Sequence, residues 1–164
     1  MPFILFISFV VFQRLLELVV ARGNEKWARA QGAVEYGKEH YPVIVLLHTS
    51  FLIAMIAEYY LSPVTYLFNP TFLFVFLGLI CLKIWVIASL GKYWNTKILR
   101  IPNVQLVNKG PYKYVKHPNY LIVIAEIAII PLVFHLYYTA MVFSLLNAAM
   151  LFVRIRVENR ALKG

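Results

Sequence analysis

Between Gly110 and Tyr120 the chain reads Gly-Pro-Tyr-Lys-Tyr-Val-Lys-His-Pro-Asn-Tyr, which sets a turn, aromatic rings, cations and a histidine against the start of a long apolar run. Gly110-Pro111 permits a sharp turn. Tyr112 and Tyr114 offer π faces that can hold a cation or an adenine ring. His117-Pro118 leads into the first turn of a helix, whose free N–H groups suit a carboxylate. The apolar run continues to Val153 and ends in a second polar cluster, Arg154-Ile155-Arg156-Val157-Glu158-Asn159-Arg160-Ala161-Leu162. Arg154 and Glu158, four residues apart, share one helix face. Two polar clusters that bracket one helical hairpin suggest a single cofactor site at a membrane surface. The plainer readings are an aromatic belt with basic anchors for the first cluster and a simple helix ion pair for the second.

The elements that must position these residues are membrane helices. Of the 164 residues, 62% are hydrophobic and 14% charged, far from the roughly 45–50% and 25% of soluble domains. The chain therefore reads as an all-α integral membrane protein. Apolar stretches long enough to span, about 20 residues each, fall at about 3–21, 42–62 and 70–90. A longer run, 119–153, is divided near its middle by Pro131 and then His135 and Tyr137-Tyr138. A proline interrupts a helix by removing a hydrogen bond, so the run is expected as a hairpin of two short helices, about 119–134 and 137–155. That gives five transmembrane helices in one domain, 1–164, with the cofactor-binding part at 92–164. The N-terminus lacks the cationic start and small-residue cleavage site of a secretory signal and is expected as a retained helix. Residues 22–41 read equally as a surface helix or a loop.

Loop charge supports the count. The segments 22–41 and 91–118 and the C-terminus carry the cations, whereas 61–69 and the turn near 131–138 carry no Lys, Arg, Asp or Glu. By the positive-inside rule the N-terminus lies outside and the C-terminus in the cytoplasm. Both polar clusters then face the cytoplasm, where nucleotide-derived cofactors are available. The net charge of +9 reads as anchoring to anionic membrane lipid rather than to nucleic acid.

Ionisable groups inside apolar spans are candidate functional residues by default. Arg14 and Glu17, with Gln13 beside them, are expected to pair on the first helix, with contact to an acceptor's polar head as the alternative. Lys83 reads as a structural charge, either interior or reaching out along the lipid. Glu58 is expected at the interface, and Glu126 as a hydrogen-bonded interior partner or a catalytic group. The four histidines show no H-E-x-x-H spacing and the chain has no Asp, so no metal is expected. Nor is there a G-x-S-x-G elbow for hydrolysis. Cys81 has no cysteine partner and is expected as a buried small residue.

At these residues the chain resembles the isoprenylcysteine carboxyl methyltransferase family of membrane enzymes, over about its last 70 residues. The resemblance is carried by Leu106-Val107-Asn108-Lys109-Gly110-Pro111-Tyr112, then Lys116-His117-Pro118-Asn119-Tyr120, and after the hairpin Arg154, Glu158 and Leu162. The Gly32-Ala33 to His48 stretch looks like small bacterial relatives. The resemblance implies S-adenosylmethionine as cofactor, with Gln105, Leu106, Val107, Tyr112, His117, Pro118, Asn119 and Tyr120 lining its pocket. Glu158 would hold the cofactor's polar end and Arg154 would orient the acceptor oxygen. Three departures stand out: Lys116 where the family has Arg, which loses a bidentate fork; Asn159 in place of a second Glu; and an end at Gly164, before the C-terminal segment of eukaryotic members. The last argues against a prenylcysteine acceptor. Small bacterial members include enzymes that O-methylate long-chain alkylpyrones made by type III polyketide synthases, which makes a lipophilic small molecule, an alkylpyrone-type enol or a lipid-linked carboxylate, the expected acceptor. An NADPH-dependent reductase of the sterol-reductase type and a non-enzymatic membrane protein are the competing readings. The absence of inverted repeats and the scarcity of mid-membrane polar residues argue against a transporter.

Overall fold

A computed structural model describes residues 1–62 and 66–162. Pro63 to Thr65, within the uncharged 61–69 segment, and Lys163 with Gly164 lie outside the described residues. Among the described residues there are five α-helices: α1 (Pro2–Ala30), α2 (Tyr41–Leu61), α3 (Pro70–Leu90), α4 (Pro118–Leu132) and α5 (Tyr137–Ala161). Four of them are long and apolar enough to cross a membrane, and α4 is a shorter apolar helix. At about 1.5 Å per residue, α4 is about 22 Å long, against a hydrocarbon core of about 30 Å.

Several boundaries differ from the sequence expectation, each for a local reason. Helix α1 continues nine residues past the expected end, because the Glu25–Ala30 stretch is mostly good helix formers and the preceding turn with Gly23 and Asn24 gains partners outside the helix. Its roughly 43 Å length carries those turns beyond the apolar layer. Residues 31–40, left undecided between helix and loop, hold a short strand β1 (Val34–Tyr36) that pairs antiparallel with β2 (Ile98–Arg100), Val34 opposite Arg100. Cys81 is exposed on α3 rather than buried, because the apolar outside of a membrane helix has no water to avoid.

The hairpin forms as expected. α4 packs against α5 and α3, and α2 against α5. Pro131 sits in the last turn of α4. His135 adopts the left-handed φ of 57°, and its Nδ1 donates to the Leu67 carbonyl at 3.0 Å. Glu58, expected at the interface, accepts from the N–H groups of Tyr138 and Thr139 at 3.2 and 2.7 Å. It thereby fills two of the donors that an α-helix leaves open at its N-terminus.

The two halves of the bundle differ. At the end opposite the strands, Phe3, Phe6 and Val10 of α1 pack with Phe51, Met55, Phe76, Ile127, Ile130 and Phe134 into a continuous apolar cluster. Phe3 stacks on Tyr59 with ring centroids 3.8 Å apart. Midway along, the apolar packing gives way to a charged network joining three helices. Glu126 of α4, 0% exposed, accepts from Lys83 of α3 at 2.5 Å and from Arg14 of α1 at 2.9 Å. Glu17 pairs with Arg14 at 3.2 Å and with Lys83 at 3.0 Å, and Gln13 donates to Glu17 at 3.0 Å. The expected Arg14–Glu17 pair is present, and Lys83 is interior, not turned to the lipid. Two cations meet two carboxylates, so the cluster is neutral.

Removing one member strands the rest. Glu126→Ala leaves Lys83 and Arg14 short of an anion, and breaking a buried pair in this way costs about 3–5 kcal/mol. Thermal unfolding in detergent should show that loss for Glu126→Ala and a smaller one for Glu126→Gln, which keeps an acceptor oxygen. Equal midpoints for wild type and Glu126→Ala would refute the structural role.

Candidate functional site

Above the charged network the bundle is hollow. A cavity of about 840 Å³ is lined by all five helices and by the 92–108 segment. Its roof is held in place by the extension of α1. Asn24 donates to the Trp94 carbonyl at 2.7 Å, Asn95 to the Ala21 carbonyl at 3.0 Å, and Lys97 pairs with Glu25 at 2.7 Å. The turn Gly110–Lys113 packs on the end of α3. Gly110 has a φ of 57°, and a Cβ there would lie 2.1 Å from Ser89 Oγ, so the turn depends on glycine for both conformation and space.

The structure brings nearly all the sequence-expected residues to this cavity. Gln105, Leu106, Val107, Tyr112, Lys116, His117, Asn119, Tyr120, Arg154 and Glu158 line it. Pro118 does not: it is buried at the start of α4 and serves to begin that helix. Tyr114 points away, 77% exposed. The expected carboxylate site on the first turn of α4 is depleted, because Pro118 has no N–H and the Tyr120 N–H is bonded to the His117 carbonyl at 3.2 Å.

Arg154 and Glu158 do not form the helix pair that their spacing allows. Arg154 Nε donates to the Tyr120 hydroxyl at 2.9 Å and its Nη2 to the Thr96 carbonyl. Its guanidinium is thereby fixed in direction, with N–H donors to spare. Glu158 instead faces His117, with Oε2 and Nδ1 3.5 Å apart. His117 Nε2 lies 3.1 Å from Asn159 Oδ1, so the residue that replaces the second Glu accepts a hydrogen bond from the imidazole. The His117 ring also stacks on Tyr120, centroids 5.4 Å apart. Burial, and then the nearby Glu158 carboxylate, push the Tyr112 phenol well above its usual range, so it stays a protonated donor.

Among the described residues, three fully enclosed polar atoms make no hydrogen bond, Glu158 Oε2, Asn119 Oδ1 and Trp94 Nε1, the first having only the 3.5 Å approach of His117 Nδ1. Such atoms cost free energy unless a ligand satisfies them, and all three belong to residues that line the cavity. Trp94 and Thr96 were not singled out by sequence. Trp94 follows a lysine and a tyrosine in a basic loop, where an aromatic reads as an interfacial anchor.

Fold and site together define a membrane protein with a polar-rimmed cavity inside its helical bundle. The sequence profile of the Isoprenylcysteine carboxyl methyltransferase (ICMT) family matches residues 70–164, and the chain belongs to that family. The match reaches back to the start of α3, further than the motifs alone. The chain is 46% identical over 164 residues to "Uncharacterized protein YpbQ" of Bacillus subtilis (strain 168), covering 98% of this chain and 96% of that protein. It is 31% identical over 153 residues to an "Uncharacterized protein" of Haemophilus influenzae, covering 91% and 88%. No solved structure matches it.

The turn at Gly110 offers a direct check on the site's construction. Gly110→Ala should raise the rate of tryptic cleavage at Lys109 and Lys113 about tenfold, the effect of the roughly 1–2 kcal/mol left-handed penalty. The double variant Gly110→Ala/Ser89→Gly should recover part of the resistance. Unchanged cleavage in the single variant would contradict the packing.

Proposed function

We propose that the protein is an S-adenosylmethionine-dependent O-methyltransferase that acts on a lipophilic acceptor at the cytoplasmic face of a bacterial membrane. In this reading the chain crosses five times, with its N-terminus outside and its C-terminus in the cytoplasm, as the loop charges favour. The observation that carries it is the joining of two features in one cavity: the three partnerless polar atoms at its loop end, and lining side chains on the outside of the bundle. Val11 and Leu15 of α1 and Val45 and Thr49 of α2 line the cavity and are also exposed, which leaves an apolar way in from the bilayer.

The chain's residues fit the cofactor that family methyltransferases use. Glu158 and Asn119 would accept from its ammonium and hydroxyl donors, Trp94 would donate to an acceptor atom, and the faces of Tyr112 and His117 suit an aromatic base or a sulfonium. S-adenosylmethionine, when bound, supplies an electrophilic methyl group that an anionic oxygen takes by in-line displacement. The protein's task is alignment and exclusion of water. Arg154, pinned by Tyr120 and Thr96, would hold an enolate or carboxylate oxygen by charge-assisted hydrogen bonds. No general base is needed for an acceptor that is already an anion. An alkylpyrone-type enol and a lipid-linked carboxylate both meet that requirement.

Calorimetry of the detergent-purified protein with S-adenosylhomocysteine should give micromolar binding that Glu158→Ala abolishes. Folded wild-type protein that binds NADPH but not S-adenosylhomocysteine would replace this reading with a reductase.

A further inference from the structure

The cavity has a second polar level that the methyl-transfer site does not use. His48 of α2 and Asn147 of α5 line it, on two helices that pack together. His48 lies seven residues in from Tyr41 at the start of α2, and Asn147 lies seven residues before Arg154 on α5. At about 1.5 Å per residue, both sit roughly 10 Å deeper than Arg154. Lys83, seven residues before the end of α3, is at the same depth, and with Arg14 and Glu17 it also lines the cavity.

The hydrogen-bonding capacity of this level is specific. Asn147 is 2% exposed and makes no side-chain hydrogen bond among the described residues, although a buried amide ordinarily has a partner. Its polar end therefore has only the cavity to serve. His48 Nδ1 lies 3.1 Å from the Ile44 carbonyl. A carbonyl can only accept, so Nδ1 carries the hydrogen, and in the neutral ring Nε2 is left as an acceptor. The charges nearby are already satisfied, since Arg14 and Lys83 are matched by Glu17 and Glu126. A second anion at this depth would be uncompensated in an apolar layer and is strongly disfavoured.

We propose that His48 and Asn147 form a hydroxyl-recognising subsite, so that the acceptor is an amphiphile with an uncharged O–H roughly 10 Å from the oxygen that Arg154 holds. A hydroxyl donates to Nε2 of His48 and accepts from an amide N–H, whereas an ether or a bare methylene leaves His48 without a donor. The subsite thus selects hydroxylated acceptors over plain alkyl chains. This rests on the methyltransferase reading for the role of Arg154.

The test uses the full chain in nanodiscs, with radiolabelled 10-hydroxyoctadecanoic acid and octadecanoic acid as probes and S-adenosylhomocysteine binding measured in parallel. Wild type should bind the hydroxy acid roughly three- to tenfold more tightly, the effect of one net hydrogen bond. His48→Phe and Asn147→Leu should each remove that preference while leaving S-adenosylhomocysteine binding within about twofold, which also shows that they fold. His48→Gln, which keeps an acceptor oxygen, should retain part of it. Equal binding of the two acids by wild type, or an undiminished preference in both apolar variants, overturns the subsite while S-adenosylhomocysteine binding leaves the methyltransferase reading standing. Loss of S-adenosylhomocysteine binding in wild type with the preference intact removes that reading and keeps the subsite as a lipid-hydroxyl site.

Discussion

Charge neutrality inside an apolar layer is the constraint on which the rest of this structure depends. A single ionised side chain at the centre of a bilayer costs about 2.5–3.5 kcal/mol on insertion scales, and this chain sets four among its apolar helices. The cost is offset only because Glu126 is reached by Lys83 and Arg14 together, and Glu17 by the same two cations. That requirement fixes where α1, α3 and α4 stand relative to one another. α1 approaches its neighbours through long side chains, the charged network at mid-height and Phe3 and Phe6 at the far end, and it forms one wall of the cavity that all five helices line. The polar network is thus both floor and frame for the hollow half of the bundle.

The division of labour along the bundle follows. The half with Phe3, Phe51, Phe76 and Phe134 is filled with rings in edge-to-face contact and aliphatic side chains. The other half is held by hydrogen bonds and ion pairs at its rim: Asn24 and Asn95 to backbone carbonyls, Lys97 to Glu25, and Arg154 to Thr96 and Tyr120. Rim contacts of this kind keep a cavity open without filling it. They also aim Arg154 more firmly than a helix pair with Glu158 would, because the Tyr120 hydroxyl and the Thr96 carbonyl come from different elements.

Much of this was legible in the sequence because membrane helices announce themselves by length and composition, and Pro131 marked the hairpin. The residues at the loop end of the cavity were legible because their motif is local in sequence: Gly110 to Tyr120 is a turn followed by a helix start, and Arg154 to Glu158 is one helical turn. What stayed hidden depended on contacts between distant segments. Trp94 and Thr96 lie in a loop with no periodicity, and their roles come from α1 and α5. The β1–β2 pairing joins two three-residue strands, too short for alternation to register. The spacing of Arg14 and Glu17 paired them with each other, yet nothing in the sequence assigned Lys83 and Glu126 to that pair or to one another. Cys81 was misread because a rule for water-soluble interiors was applied to a lipid-facing surface.

The same network makes three helices depend on one another for neutrality as the chain is made. α1 emerges from the ribosome with Arg14 and Glu17 already able to neutralise each other three residues apart. α3 carries Lys83 with no acid of its own, and α4 carries Glu126 with no base, their partners being 43 residues apart in the chain. Neither helix carries its own counter-charge, so each holds an unmatched ion until the other stands beside it. The floor of the chamber is therefore electrically complete only when α1, α3 and α4 are together.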